Sequence, residues 1–242
     1  MSLRLYTPAP LQEGLEFDLP EDAARHAQVR RVQPGDALCL FNGEGADWAA
    51  VVLAMGRRDV RVRVGAPSAV ARELPFSFTI ALGMPANDRM DTVVEKATEL
   101  GATALQPLVC ERSVLRLAGE RAERKQAHWQ GVAVAACEQS GRAVLPQVAP
   151  VRTLADWLRG LPPRAEGEQR WLLSPAAGVR PLAEVAAPTL GVVCTLSGPE
   201  GGLSPAEEAL ALAAGFQAVG LGPRVLRADT APLAALAWAG LR

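Results

Sequence analysis

Leu190–Leu236 reads LGVVCTLSGPEGGLSPAEEALALAAGFQAVGLGPRVLRADTAPLAAL, and the fold of the whole chain turns on it. Leu190–Leu196 is short, β-branched and wholly apolar, as a strand buried on both faces must be. Ser197-Gly198-Pro199-Glu200-Gly201-Gly202 follows as a loop in which three glycines let the backbone turn tightly and approach a ligand closely. Ser204-Pro205-Ala206-Glu207 opens a helix, with Ser204 as N-cap, Pro205 at the first helical position and an acid at the third. A second strand, Phe216–Leu221, runs into Gly222-Pro223-Arg224. An Ala/Leu-rich helix then carries Arg227, Asp229 and Thr230 near its start.

Two strands that end in glycine-bearing loops, each followed by a helix, predict an open α/β sheet. Such sheets bind ligands outside the carboxyl ends of their strands. The expected site is therefore a small-molecule pocket lined by Leu196–Gly201 and Leu221–Arg227, with backbone groups as polar contacts and leucines as walls. A P-loop is excluded, because Gly202-Leu203-Ser204 lacks the lysine that follows its glycines, and G-x-G-x-x-G is absent too.

Upstream, Phe76–Gly83, a loop over Met84–Arg89, a helix over Asp91–Leu100 closed by Gly101, and a strand over Ala104–Val109 form a strand–helix–strand unit. Arg112 follows at the carboxyl end of that strand, hence near the ligand edge. A long helix over Ala118–Glu138 leads into Cys137-Glu138-Gln139-Ser140-Gly141-Arg142. Another helix is expected around Thr153–Gly160. Arg170–Ser174 is a further short strand, whose loop supplies a third wall. Residues 1–70 read differently. Leu38–Asn42, Trp48–Ala54 and Val60–Val64 are short runs between turn signals, and Arg61 and Arg63 alternate with valines, which predicts a small barrel with a short helix over Glu21–Arg31. The boundary falls near Ala66–Leu74, which has no clear period.

The chain has 242 residues, a net charge of −1 and 49% apolar residues, enough for one or two real cores. No apolar run reaches a membrane-spanning length, and Met1-Ser2-Leu3-Arg4 lacks a secretory pattern. Cys39, Cys110, Cys137 and Cys194 are scattered, and His26 and His128 have no ligand partners in sequence, so a reducing cytoplasm and no metal are expected. Lys96 and Lys125 are the lysines; every other basic residue is arginine, the side chain that binds phosphate bidentately and stacks on bases.

GPEGGLSPAEE (Gly198–Glu208) followed by LGPRVLRADTA (Leu221–Ala231) resembles the RsmE-type methyltransferases of the SPOUT class. KATELGA (Lys96–Ala102) and ACEQSGR (Ala136–Arg142) fit the same family, with Ser140 at a position where cysteine is commoner. HAQVRRVQPGDALCLFNGEG (His26–Gly45) resembles the family's PUA-like opening domain. The resemblance implies a PUA-like β-barrel over 1–70 and a SPOUT α/β domain over 75–242, with a trefoil knot at about 170–236. It implies a homodimer, S-adenosylmethionine as cofactor, and N3 of a uridine in 16S ribosomal RNA, free or in the small subunit, as target. Cofactor contacts are carried onto Leu172, Leu173, Ser174, Leu196, Ser197, Gly198, Pro199, Glu200, Gly201, Leu221, Gly222, Val225, Leu226, Arg227 and Thr230. Arg112, Glu138, Arg142 and Arg227 are the candidate catalytic residues, and Arg4, Arg30 and Arg31 the candidate RNA contacts. A cationic site favours the N3 imide anion over neutral uracil. Glu138, Asp229 or water would take the N3 proton. A transfer-RNA enzyme of the same class and a non-catalytic RNA-binding factor are the alternatives.

Overall fold

The computed structural model describes residues 2–86 and 89–241, and the chain divides into two compact units. The loop expected over Met84–Arg89 includes Asn87 and Asp88, which lie outside the described residues.

The first unit holds Met1–Glu73 together with Val134–Leu145. Its elements are β1 (Leu3–Tyr6), β2 (Glu16–Asp18), α1 (Glu21–Val29), β3 (Ala37–Phe41), β4 (Ala46–Met55) and β5 (Val60–Ala69). The strands expected to form a barrel make a five-stranded sheet in the order β1-β3-β4-β5-β2, with β1 parallel to β3 and the other pairs antiparallel. The alternation read from Val60 to Val64 holds. The three valines are buried, whereas Arg61 and Arg63 face out and pair with Glu16 and Asp18 of β2. Ala23, Ala24 and Ala27 press one small-residue face of α1 into the same core as Leu5, Leu40 and Val62.

The stretch expected to hold the boundary contains both the end of β5 and the division between the two units, which falls between Glu73 and Leu74. Ala66–Ala69 lacks alternation but belongs to β5, with Pro67 opposite Trp48 and Ala69 opposite Ala46. A register shift between Trp48 and Ala50 admits the proline, which has no N–H to donate, as bulges commonly do. The segment is exposed on both faces, so no hydrophobic period marks it.

The second unit holds Leu74–Ala133 and Pro146–Arg242. It runs through β6 (Phe76–Gly83), α2 (Arg89–Glu99), β7 (Ala104–Val109) and α3 (Gly119–Ser140), whose last turns cluster with the first unit. Next come β8 (Gln147–Val148), β9 (Arg152–Thr153), α4 (Leu154–Arg159), β10 (Gln169–Leu173), β11 (Arg180–Pro181) and β12 (Gly191–Ser197). The chain closes with α5 (Pro205–Ala213), β13 (Gln217–Gly220) and α6 (Thr230–Gly240). The strands pair in parallel in the order β11-β13-β10-β12-β6-β7-β8, and β9 also pairs with β7. From Val193 on, the apolar run of β12 is explained by its place between β10 and β6, with Val193, Cys194 and Leu196 in the core, whereas Leu190 and Val192, expected to be buried, are exposed ahead of it. α6 is apolar around its circumference because it packs on α2, β6 and β12 rather than on one layer. No helix of the described residues is long and apolar enough to cross a membrane.

The capping signal in Ser204–Glu207 is realised in full. Ser204 Oγ accepts from Glu207 N–H, and Glu207 Oε2 accepts from Ser204 N–H. Glu207 does more than cap: its Oε1 accepts from Glu111 N–H at 2.8 Å, which ties the start of α5 to the loop after β7. Thr153 caps α4 in the same manner, accepting from Asp156 N–H.

Candidate active site

The carboxyl ends of β10, β12 and β13 converge in the second unit on a cavity of about 580 Å³. Its walls come from Leu172–Pro175, Ser197–Leu203 and Leu221–Ala228, so three loops meet at one edge of a parallel sheet, where such sheets bind ligands. The Ser197–Gly202 loop is compact for a stated reason. Gly202 N–H donates to Pro199 O at 2.8 Å to close a turn, and Gly202 itself adopts a left-handed φ of 69°. A Cβ on Gly198 would sit 2.7 Å from the carbonyl carbon of Gly202, so no larger residue fits that position.

Of the cofactor contacts expected from sequence, Leu172, Leu173, Ser174, Ser197, Gly198, Pro199, Glu200, Gly201, Leu221, Gly222, Val225, Leu226 and Arg227 line the cavity. Leu196 does not; it is wholly buried in the sheet beneath. Thr230 does not either. Its hydroxyl donates to Asp229 Oδ1, while its N–H joins Ala231 N–H on the carbonyl of Arg227 and so fixes the loop to the start of α6. Asp229 precedes α6 without a side-chain cap bond. Arg89, Leu203 and Glu208 also line the cavity and were not singled out in the sequence, whereas Arg224 lies within the expected Leu221–Arg227 wall. Arg89 was legible in principle, because it follows β6 at the same edge; Glu208 carries no pattern signal.

The polar equipment differs from residue to residue. Arg112 Nη1 donates to the carbonyls of Gly201 and Leu203, both at 3.1 Å, so this guanidinium braces the glycine loop. Glu200 accepts from Ala86 N–H at 2.9 Å and has Arg89 at 3.7 Å. Arg227 lines the cavity, is exposed, and makes no side-chain hydrogen bond or ion pair with the described residues. Ser197 Oγ is buried without a hydrogen-bond partner among the described residues. A buried hydroxyl left unpaired costs about 1–3 kcal/mol, which a ligand acceptor or donor would relieve.

Five of the expected site residues stand elsewhere. Arg4, expected to face RNA, is mostly buried in the first unit. It pairs with Asp47, lies 4.3 Å over the Phe41 ring and donates to the carbonyls of Cys137 and Arg142. Arg142, 3% exposed, is held by Glu73. Glu138 accepts from Tyr6 N–H at 3.0 Å and faces His26 Nδ1 at 3.2 Å. None of these lines the cavity. These contacts staple the end of α3 to β1 within the unit, although Ser140 Oγ of the same motif is buried with no hydrogen-bond partner among the described residues. Arg30 and Arg31 are exposed at the end of α1, with no ion pair to the described residues.

The cysteines offer no nucleophile. Burial pushes the Cys110 and Cys194 thiols up to about 12 and the Cys137 thiol to about 11. They stay protonated at neutral pH. Among the described residues no group of His, Cys, Asp and Glu side chains could hold a metal ion.

Comparison with known proteins agrees with this arrangement. The family profile of the RNA methyltransferase domain matches residues 72–240, and that of the RNA methyltransferase PUA domain matches 19–65. Fold and cavity thus define an RNA methyltransferase with a PUA domain ahead of its parallel sheet. The chain is 38% identical to ribosomal RNA small subunit methyltransferase E of Synechocystis, covering 87% of this chain and 67% of that one. It is 30% identical to the Bacillus subtilis protein of the same name, covering 95% and 91%. The crystal structure of a ribosomal RNA small subunit methyltransferase E from Neisseria gonorrhoeae bound to S-adenosyl methionine superposes with a TM-score of 0.89 at 35% identity, over 98% of this chain and 96% of that one. The chain belongs to the ribosomal RNA small subunit methyltransferase E family.

Proposed function

We propose that this protein transfers a methyl group from S-adenosylmethionine to N3 of a single uridine of 16S ribosomal RNA, the family target U1498, during small-subunit maturation in the cytoplasm. The observation that carries the reading is the three-loop cavity with a buried hydroxyl, Ser197 Oγ, at its wall that has no hydrogen-bond partner among the described residues. The residues fit a folded sulfonium donor. Backbone groups of Ser197–Gly201 and Leu221–Gly222 offer polar contacts, Leu172, Leu173 and Leu226 an apolar wall, and Ser197 Oγ one further hydrogen bond. The cofactor supplies an electrophilic methyl, so the chain's own task is to position and charge the acceptor.

Uracil N3 carries a proton at neutral pH and lies on the pairing edge, so the base must be unstacked and deprotonated. Arg227, uncommitted at the cavity wall, holds the developing imide anion in this reading. Arg112 acts one step back, by setting the glycine loop through Gly201 and Leu203. Glu138 and Arg142 are assigned to scaffolding, which leaves Asp229 or water to take the N3 proton. The knot at about 170–236 and the homodimer belong to the same proposal. Supporting the first, β13 lies beyond β10 while α6 packs back on β12 and β6. Supporting the second, Val114 and Val225 are 78% and 83% exposed, and Val225 borders the cavity.

Titration calorimetry with S-adenosylmethionine, followed by mass mapping of methylated bases in small-subunit RNA, tests the proposal. Saturable binding and one new N3-methyluridine are expected. Absence of cofactor heat, or methyl on another base, overturns it.

A further inference from the structure

We propose that a second cavity, at the carboxyl ends of β7 and β9, is an RNA subsite that seats a nucleotide flanking the one presented to the first cavity. The inference rests on the RNA-methylating reading above and extends it to residues that play no part there. The cavity measures about 850 Å³ and lies wholly within the second unit. Val109, Leu117 and Val151 give it apolar lining, and Arg116, Arg152 and Arg159 bring three guanidinium groups to it.

Charge in this cavity is not balanced internally. Asp156, its acidic lining residue, pairs with Arg159 at 2.6 Å and takes the Thr153 hydroxyl at 2.7 Å. Among the described residues, Arg116 donates only to the carbonyl of Glu111, at 2.7 Å, and Arg152 only to the carbonyl of Asp156, at 2.9 Å. Carbonyl partners orient a guanidinium without neutralising it. Two uncompensated cations in a concave, partly apolar setting focus positive potential and draw an anion. Arginine at the rim with apolar side chains beneath suits a nucleotide in particular, with phosphate on the forks and the base against Val109, Leu117 and Val151.

Position relates this cavity to the first. The strands of the sheet run parallel, so both cavities open at one edge, and β6 lies beside β7. A single loop, Cys110–Ala118, borders both: Arg112 lines the first and Arg116 the second. Four residues of chain reach at most about 14 Å. A strand that lowers one base into the first cavity therefore carries its neighbours across the second.

The test uses the full chain, small-subunit RNA and the R116Q/R152Q double variant. KM for RNA is expected to rise about tenfold at physiological salt, and the slope of log affinity against log salt to shrink by about 1.5, two phosphate contacts being lost. The turnover number, cofactor affinity and melting temperature should stay as in the parent. Asp156→Asn, which removes the counter-charge, should lower KM by about threefold. Parental KM and salt slope in the double variant would overturn the subsite. So would saturable binding of inorganic phosphate or uridine monophosphate that the double variant loses while its RNA kinetics hold, since the cavity would then serve a free small anion. Failure of the broader reading looks different: the parent itself would bind no cofactor or methylate no RNA.

Discussion

Arg142 and Arg227 each follow a glycine-bearing turn in the sequence, and each sits in a stretch shared with one family, yet the structure uses them in opposite ways. Arg142 is 3% exposed and clasped by Glu73. Arg227 is exposed at a cavity wall and makes no side-chain hydrogen bond or ion pair with the described residues. The same contrast divides the other arginines. Arg4 and Arg170 are braced inside their units by Asp47 and Glu168, while Arg30 and Arg31 have no ion pair among the described residues. A guanidinium that is already satisfied holds the fold; one left unsatisfied is available to a ligand. Arg227→Ala sharpens the contrast most. Methyl transfer should fall by about a hundredfold or more, in line with the loss of one charge-stabilising donor, with an unchanged melting temperature. Single-turnover kinetics beside a thermal scan would check both, and transfer at the parental rate would break the distinction.

Arg142→Met gives the reverse outcome. Removing one partner of a buried pair leaves Glu73 uncompensated and should destabilise the first unit by about 3 kcal/mol. Urea melts would record the loss, and cofactor titration should stay at the parental value, because Arg142 does not line the cavity.

How far the sequence went follows the same division. Strand and loop order in Leu190–Leu236 was legible because a two-sided buried strand must be continuously apolar, and a capping box has a fixed spelling. Ser204 and Glu207 could be named before any coordinates. The extension of β5 to Ala69 was not legible, since an exposed edge segment has no hydrophobic period. Nor was the fate of Arg4, Glu138 and Arg142. Spacing along a chain says where a charge falls on an element, but not whether Asp47, Tyr6 N–H or Glu73 waits opposite it. Arg89 was missed for a smaller reason: it opens α2, and helix starts were read for caps rather than for what they face.

A braced arginine should also leave a mark on acid stability. Burial alone would raise the Glu168 carboxyl, but hydrogen bonds from Arg170 and from Ala165 N–H outweigh it and hold the group below the usual carboxylate range. A depressed folded value means stability that is fully present above the ordinary carboxylate pKa and lost as pH falls through the folded one. Glu168→Gln should therefore cost about 1–2 kcal/mol at neutral pH and flatten the acid limb of the stability curve. An acid limb as steep as in the parent would separate Arg170 from the braced class.

The smallest expected effect concerns an open arginine and has the opposite sign. α1 ends in a Schellman motif: Val32 N–H reaches Ala27 O at 3.2 Å and Arg31 N–H reaches Gln28 O at 2.9 Å. The same pair of bonds closes α2 around Gly101 and α5 around Gly215, where glycine takes the left-handed backbone without strain. Arg31 holds φ 57° with a full side chain, and among the described residues no other non-glycine has a positive φ. That conformation costs roughly 1 kcal/mol relative to glycine. Arg31→Gly should thus stabilise the protein by about that amount, read as a higher urea midpoint with an unchanged slope. If Arg31 is open because it meets the RNA backbone, the more stable variant should bind RNA several-fold more weakly, with a salt slope reduced by about 1. A variant that gains stability and keeps its RNA affinity would show that an arginine can be left open without serving a ligand, and the division drawn from Arg142 and Arg227 would then need exposure and location, not partnership alone, to carry it.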